Sequence, residues 1–468
     1  MSSLKFGTSG LRGLVSDLVG APSYAYASAF FRAIAADGGD REVVIGRDLR
    51  ASSPGIAATV AEAAAAAGFR AIDAGALPTP ALALEAMRRG ACAVMVTGSH
   101  IPDDRNGLKF YRAAGEITKA DETAILAALA DATGAGAPAG TVPATPEPEA
   151  LARYRARYSA AFPDDLLSGL HVAVYQQSSV ARDLLSDLLA GLGARVSAIG
   201  RAETFVPIDT EAHRPEDVAF IRETMQAGAF DALVTTDGDA DRPLLADEAG
   251  QILRGDVLGL VTARYLGIDT VVVPVTAGSA LERAGFRQVV RTRVGSPFVI
   301  AGMEQARRDG AGSVAGFEAN GGFLLGSDVR LAGGVLPALP TRDAVLPIVA
   351  TLAAARAAEV RLSALVAALD AGETASDRLP EIPAARSGPI LARLGDAEYL
   401  GTFLKPVGKP QAVDRQDGVR IVLDGERTIH FRASGNAPEL RCYTEAASAA
   451  EAQDLLRWGL AAAAAETR

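Results

Sequence analysis

Positive charge is the first thing this chain of 468 residues is short of. Lys and Arg number 46 against 56 Asp and Glu, for a formal net charge of −10. A nucleic-acid partner would favour a basic face, so that class is set aside. A small anionic substrate is not, because a cleft can be locally positive in an acidic protein. Cysteine is scarce too. Cys92 and Cys442 are the only two, both in apolar segments, which excludes a disulfide framework. They read as small buried hydrophobes in a reducing compartment. Aromatics are 5% and Ala is abundant, so the cores should be aliphatic and many helices Ala-rich. No apolar run of 18 or more residues is present, because charges interrupt the densest Ala tracts. The opening MSSLKFGTSG has neither a basic nor an apolar signal region. The expectation is a soluble, cytoplasmic protein with no membrane partner.

Hydrophobic residues make up 49% of the chain, enough for several cores, and the length predicts three or four domains. A plan repeats along it. Glu42–Gly46 reads as a buried strand, followed by a helix from Pro54 to Ala67 with Ser53 as N-cap and Gly68 as its stop. A short strand at Ala71–Asp73, a second helix and a strand at Ala91–Val96 complete the unit. The second copy has strands at His171–Tyr175, Ala194–Val196 and Asp231–Thr235, with a helix over Arg182–Gly191. The third has Thr270–Val275, a helix near Ala280, Gln288–Thr292 and Gly312–Ala315. Alternating elements of this kind imply mixed sheets covered by helices. Gly134–Glu149, rich in Ala, Gly and Pro, reads as a linker. After Asp370 the pattern changes to a smaller α+β unit. It has a strand and turn over Asp417–Gly425, a hairpin partner at Thr428–Phe431 and a closing helix from Ala449 to Ala465.

In α/β sheets ligands gather at the carboxyl ends of strands, and each third strand here ends in a polar, Gly-containing loop. The loops are Thr97-Gly98-Ser99-His100, Asp237-Gly238-Asp239-Ala240-Asp241 and Gly316-Phe317-Glu318-Ala319-Asn320-Gly321-Gly322. In an extended segment Asp237, Asp239 and Asp241 point the same way, and hard oxygen ligands suit Mg²⁺ or Mn²⁺. Three other readings of that loop stay open. It resembles a calcium EF-hand loop, with Glu248 at the twelfth position but Arg242 where Gly is needed. It is compatible with a solvated acidic turn. It is also compatible with a phosphatase that uses Asp237 as nucleophile. Ser99 is a candidate nucleophile if His100 and Lys109 support it, the latter reaching the loop if Pro102–Gly107 doubles back. Gly7-Thr8-Ser9-Gly10-Leu11-Arg12-Gly13 is a candidate anion nest. Arg432, Ser434, Gly435, Asn436 and Arg441 form a candidate phosphate clamp.

Taken together, the Gly7–Gly13 loop, Thr97–Pro102, Asp237–Arg242 and Arg432–Asn436 resemble, in order and across nearly the whole chain, the four signature loops of the α-D-phosphohexomutases. The resemblance implies three tandem α/β domains plus a smaller C-terminal α+β lid around a central cleft. Their boundaries are expected at 1–148, 149–255, 256–370 and 371–468. It implies a phosphoserine at Ser99 and one Mg²⁺ held by Asp237, Asp239, Asp241 and a phosphoserine oxygen. His100 and Lys109 would serve proton transfer or phosphate support, with Arg12 and Arg242 nearby. Glu318 and Asn320, with Gly295, would meet the sugar, and Arg432, Ser434, Gly435, Asn436 and Arg441 would hold the phosphate that is not reacting. The activity implied is phosphoryl transfer between C1 and C6 of a hexose phosphate through a sugar 1,6-bisphosphate. Phosphomannomutase chemistry is favoured over phosphoglucomutase and then phosphoglucosamine mutase, in a monomer or homodimer. Two positions depart from the family's pattern. Gly322 stands where the sugar loop commonly has His, and Ser296 stands where some members have His. Both changes leave open the sugar and the second acid/base group.

Overall fold

The computed structural model describes residues 2–7, 10–36, 41–130, 144–434 and 438–466. Its first three sheets share one strand order. In the first, Glu42–Arg47 lies between Arg70–Ala76 and Cys92–Val96, all parallel, and Arg105–Arg112 returns antiparallel beside Cys92–Val96. In the second, His171–Gln177 lies between Arg195–Arg201 and Ala232–Thr236, with Pro243–Ala246 antiparallel to the last. In the third, Thr270–Pro274 lies between Gln288–Thr292 and Val314–Phe317, with Phe323–Leu325 antiparallel. The sequence pattern anticipated the three parallel strands of each unit but not the fourth. The fourth strand turns each polar loop into a hairpin held at both ends. It also carries Lys109 back past the Ser99 loop, opposite Met95.

Three local expectations change. The first crossover helix begins at Ser53, and Ser53 is no cap: its hydroxyl donates to Asp48 Oδ1 at 2.5 Å. The expected helix near Ala280 is a single 3₁₀ turn, Ser279–Arg283. Of the expected linker, residues 134–143 lie outside the described residues. Thr145–Pro146 adds a parallel edge strand to the first sheet, and Glu149–Ser159 is already helical. The hairpin Lys5–Gly7 with Gly10–Leu14 extends the other edge and places Arg12 opposite Gly107.

The core is aliphatic and Ala-rich, as composition implies, and Cys92 and Cys442 are buried free thiols within it. One apolar cluster runs without a break from Val44 and Leu82, through Tyr154 and Leu188, to Phe317 and Leu346. The first three units are thus welded by shared apolar packing. The last unit has a core of its own, built around Leu394, Ile421, Phe431 and Leu456. It is a five-stranded antiparallel sheet backed by helices that include Ala449–Glu466. Its seam with the third unit carries polar links: Glu445 accepts from the Ser279 amide and hydroxyl, Arg254 donates to the Gly372 carbonyl, and Asp417 accepts from Val294 N. Among the described residues, no helix is long and apolar enough to cross a membrane.

Asp343 joins the helix Glu149–Ser159 to the third unit. Its buried carboxylate accepts from the hydroxyls of Tyr154, at 2.7 Å, and Tyr158, and from the first amides of the helix Val345–Ala357. Asp343→Ala leaves those donors unsatisfied and is expected to cost about 3 kcal/mol, whereas Tyr158→Phe should cost about 1 kcal/mol, both read from urea unfolding.

Burial holds the His430 ring well below its usual range, at about 4, against the raising pull of its bond to the Asp417 carbonyl. The unfolded ring therefore takes up its proton first as pH falls. The stability gained from keeping this ring neutral is complete above about pH 6.5. It is lost between there and about 4, up to roughly 3 kcal/mol. His430→Gln should flatten that part of the Tm-against-pH curve.

Candidate functional site

The strand Cys92–Val96 ends in a loop whose backbone is pinned from below. Asp48 accepts from Thr97 Oγ1 and from Gly98 N, and Thr97 Oγ1 in turn accepts from Ser99 N at 2.8 Å. The buried Arg50 guanidinium donates to the carbonyls of Ser99 (3.1 Å), Ile101 (2.5 Å), Pro102 (2.7 Å) and Arg105 (3.0 Å), and Asp48 holds its Nε at 3.1 Å. A Cβ on residue 98 would fall 2.5 Å from Arg50 Cζ, which is why glycine stands there. Ser99 is left with φ of 55°, a left-handed conformation that costs an L-residue about 1–2 kcal/mol. That strain fits a side chain aimed by its surroundings.

Ser99 is fully buried. Its Oγ donates to Asp237 Oδ2 at 2.6 Å and lies 3.1 Å from His100 Nδ1. Burial, then the charges of Arg242 and Arg12, drives the His100 ring down to about 2, so it is neutral. Arg12 is itself pulled down to about 10, by burial first and then by Arg242.

Asp237, Asp239 and Asp241 are each wholly buried, which rules out the solvated turn. Ala240 between them is also left-handed, with φ of 57°. Asp237 Oδ1 accepts from the amides of Asp241 and Arg242, both at 3.2 Å. Lys109 Nζ donates to Asp239 Oδ2 at 2.6 Å and to Asp241 Oδ2 at 2.5 Å, and Thr79 Oγ1 donates to Asp239 Oδ2. Burial, then repulsion from Asp239 and Asp241, pushes the Asp237 carboxyl well above its ordinary range. Asp239 Oδ1 and Asp241 Oδ1 are buried with no hydrogen-bond partner, and one oxygen of each carboxylate lies within 4.8 Å of the others. Those donors fit a hard divalent cation. The EF-hand reading fails, because a strand enters this loop and Glu248 is engaged by Ser363 far along the chain. The Asp237-nucleophile reading is weakened by an Asp237 whose two oxygens already accept hydrogen bonds.

The third loop is a tight hairpin. Gly321 N donates to the Glu318 carbonyl at 2.9 Å, and the side chain of Asn320 turns inward to accept from Gly322 N at 3.0 Å. Arg342, which sequence reasoning missed, reaches into it: Nη2 lies 2.9 Å from Asp241 Oδ2, and Nη1 lies 3.4 Å from Glu318 Oε2. A Cβ on residue 322 would lie 2.9 Å from both Cγ and Cδ of Arg342, so Gly322 makes room for that stem. Gly295 caps the helix Ser296–Arg308. Ser296 Oγ is turned to Glu116 Oε2 at 2.6 Å.

In the last unit Arg441 borders a cavity of 520 Å³ together with His100, Arg242 and Tyr443. Arg432 is held at 2.8 Å by Asp417, the residue that also accepts from Val294 N beside Gly295. Ser434 N closes the hairpin onto the Glu439 carbonyl. Gly435 and Asn436, like Thr8 and Ser9 of the first loop, lie outside the described residues.

The Ser99 loop, the Asp237–Asp241 loop and the Glu318 loop are thus joined through Lys109 and Arg342, and the relatives of the chain can be named. Family profiles described as phosphoglucomutase/phosphomannomutase alpha/beta/alpha domain I, alpha/beta/alpha domain III and C-terminal domain match residues 3–135, 254–371 and 385–457. A phosphomannomutase of Sinorhizobium fredii is 48% identical over 98% of this chain and 98% of its own. The chain belongs to the phosphoglucomutase/phosphomannomutase family. A phosphomannomutase of Salmonella muenchen is 41% identical over 97% of this chain and 94% of its own. A phosphoglucomutase/phosphomannomutase family protein of Burkholderia thailandensis has the same fold, with a TM-score of 0.79 and 22% identity over 98% of both chains.

Within this family member the unforeseen residues are Asp48, Arg50, Thr79 and Arg342. Asp48 and Arg50 follow the carboxyl end of the first strand, the position that already singled out the other loops. Arg342 and Asp343 are charges set immediately before an apolar helix. Because Arg50 gathers four carbonyls of the Ser99 loop, Arg50→Lys should keep the fold and lower kcat by on the order of 10- to 100-fold with KM little changed, measured by steady-state kinetics.

Proposed function

We propose that the chain is a phosphohexomutase that moves a phosphoryl group between C1 and C6 of a hexose phosphate, with mannose phosphate as preferred sugar. The observation that carries this reading is the buried Ser99 hydroxyl on Asp237, inside a cluster of carboxylates and cations that opens onto the cleft. Its high identity to two phosphomannomutases supports the choice of sugar. The reading divides the chain at 1–148, 149–255, 256–370 and 371–468. The buried free thiols favour a reducing, cytoplasmic compartment.

Asp237, Asp239, Asp241 and an oxygen on Ser99 would hold Mg²⁺, which supplies charge neutralisation to the phosphoryl oxygens. A hydroxyl oxygen of the bound hexose phosphate attacks the phosphorus on Ser99, and the bond from phosphorus to Ser99 Oγ breaks. The sugar is then bisphosphorylated. It turns over in the closed cleft, Ser99 Oγ takes the other phosphoryl group as that group's bond to its sugar oxygen breaks, and the freed sugar oxygen takes up the proton released in the first transfer. Such transfer rests on positioning and charge. Arg12, Lys109 and Arg242 supply fixed positive charge around Ser99. His100, 3.1 Å from Oγ, serves proton transfer or phosphate support. Glu318 accepts from sugar hydroxyls, with Asn320 and Gly295 shaping its pocket. Arg432, Ser434, Gly435, Asn436 and Arg441 clamp the distal phosphate in the last unit, which closes to exclude water.

Ser99→Ala is expected to abolish turnover while Mg²⁺ still binds. With a trace of bisphosphate, kcat/KM should be highest on mannose 1-phosphate, above glucosamine 1-phosphate by about tenfold or more. A reversed order would sink the sugar assignment. Labelled phosphate retained on Ser99 is expected, and label on Asp237 would instead indicate a phosphatase.

A further inference from the structure

The polar seam between the last two units encloses a cavity of 350 Å³. None of Ser99, the three Asp residues, Arg242 or Glu318 lines it, although it meets the cleft at Ser376 and Tyr443. One face of the C-terminal sheet forms a wall. Arg420 and His430 are directly opposite each other on neighbouring strands, and Thr428 lies two residues from His430 on the same face.

These three side chains are buried and yet have unmet hydrogen-bonding capacity. Arg420 is 8% exposed, Thr428 5% and His430 2%. Among the described residues, Arg420 makes no ion pair and no hydrogen bond. Thr428 Oγ1 and His430 Nδ1 are buried without a partner. Arg254 is paired with Asp256 and Arg291 with Glu282; Glu445 accepts from Ser279, and Glu282, Glu445 and Asp414, the last opposite Arg420 on the next strand, attract Arg420 only through space. Attraction through space without a hydrogen bond leaves the Arg420 donors available to an anion that enters the cavity.

We propose that Arg420, Thr428 and His430 form a second binding site, for a small oxyanion that also carries a hydroxyl. Arg420 and Thr428 donate to the oxyanion. His430 Nε2 donates to the Asp417 carbonyl at 2.6 Å, so its bare Nδ1 is an acceptor and requires an O–H on the ligand. Hydrogen phosphate has both features, as does a phosphate ester of a sugar. Arg420 and Thr428 also border a second cavity of 300 Å³ with Ser279 and Arg283, so the site can be entered from that side without passing Ser99.

The chain has four histidines, so ring-labelled protein gives an assignable NMR spectrum in which His100 reports on the cleft and His430 on this cavity. Titration with inorganic phosphate is expected to move the His430 signal. If only mannose 6-phosphate moves it, the ligand is the ester. In either case Arg420→Ala should weaken the His430 response by about tenfold or more and leave that of His100. Arg242→Ala should do the reverse, while an unchanged signal from His171, which borders neither cavity, shows that each variant is folded. The site is overturned if His430 responds to neither probe, if its response survives Arg420→Ala, or if Arg242→Ala removes both responses together.

Discussion

Three carboxylates buried in one short loop are the constraint around which this molecule is organised. With oxygens within 4.8 Å of one another, each ionised pair repels by about 3 kcal/mol even at an effective dielectric of 20. The loop cannot relieve this alone, because Arg242 is its only cation and sits 3.7 Å from Asp241. Relief comes from elsewhere. Lys109 and Thr79 arrive from the first unit and Arg342 from the third. The second unit supplies the negative charge, and its neighbours supply the positive charge and the hydroxyl that Asp237 accepts. The electrostatics that suit the cluster to phosphoryl chemistry are therefore the same interactions that fix how three sheets meet.

That joint is stiff where the chemistry needs stiffness. Behind it, one apolar core passes through all three units, and Arg50 ties four carbonyls of the Ser99 loop to a single planar group. The left-handed Ser99 is tolerated because these bonds over-determine it. The last unit is held differently. Its core is separate, and across the seam it makes hydrogen bonds and ion pairs, contacts that water can replace at small cost. Rigidity at Ser99 and compliance at the seam follow from which contacts are apolar and which are polar.

How far the sequence revealed this depended on the range of the interaction. Strand runs, Gly stops and the loops after Val96, Thr236 and Phe317 are local patterns, and they were legible. So was the doubling back of the chain after the Ser99 loop, although Lys109 Nζ then meets Asp239 and Asp241 rather than that loop. The hairpin edge, the fourth strand of each unit and the 3₁₀ turn at Ser279 were not, since short strands and single turns carry little periodicity. Arg50 and Arg342 were invisible for a different reason. Arginine near a strand end reads as surface, and only the fold shows that their stems are buried and their guanidinium groups face inward. The same holds for Arg420, whose place on a strand is legible but whose lack of a partner is not.

Gly322 shows what such three-dimensional matching does to a motif. Alone, it is a sugar loop that has lost its imidazole, and with it a group able to pass a proton. In the fold, the space above Gly322 is taken by the Arg342 stem, whose head spans Asp241 and Glu318. Any side chain at 322 would drive its Cβ against that stem and against the Asp241 carbonyl oxygen, both at 2.9 Å, so the space is closed to it by backbone as well as by arginine. The exchange puts a charge that does not titrate near neutral pH where a titrating ring would stand. It couples Glu318, proposed to meet the sugar, to Asp241, proposed to hold the cation. In this fold the loop at 318–322 therefore presents a fixed positive charge, held between two carboxylates, and no imidazole.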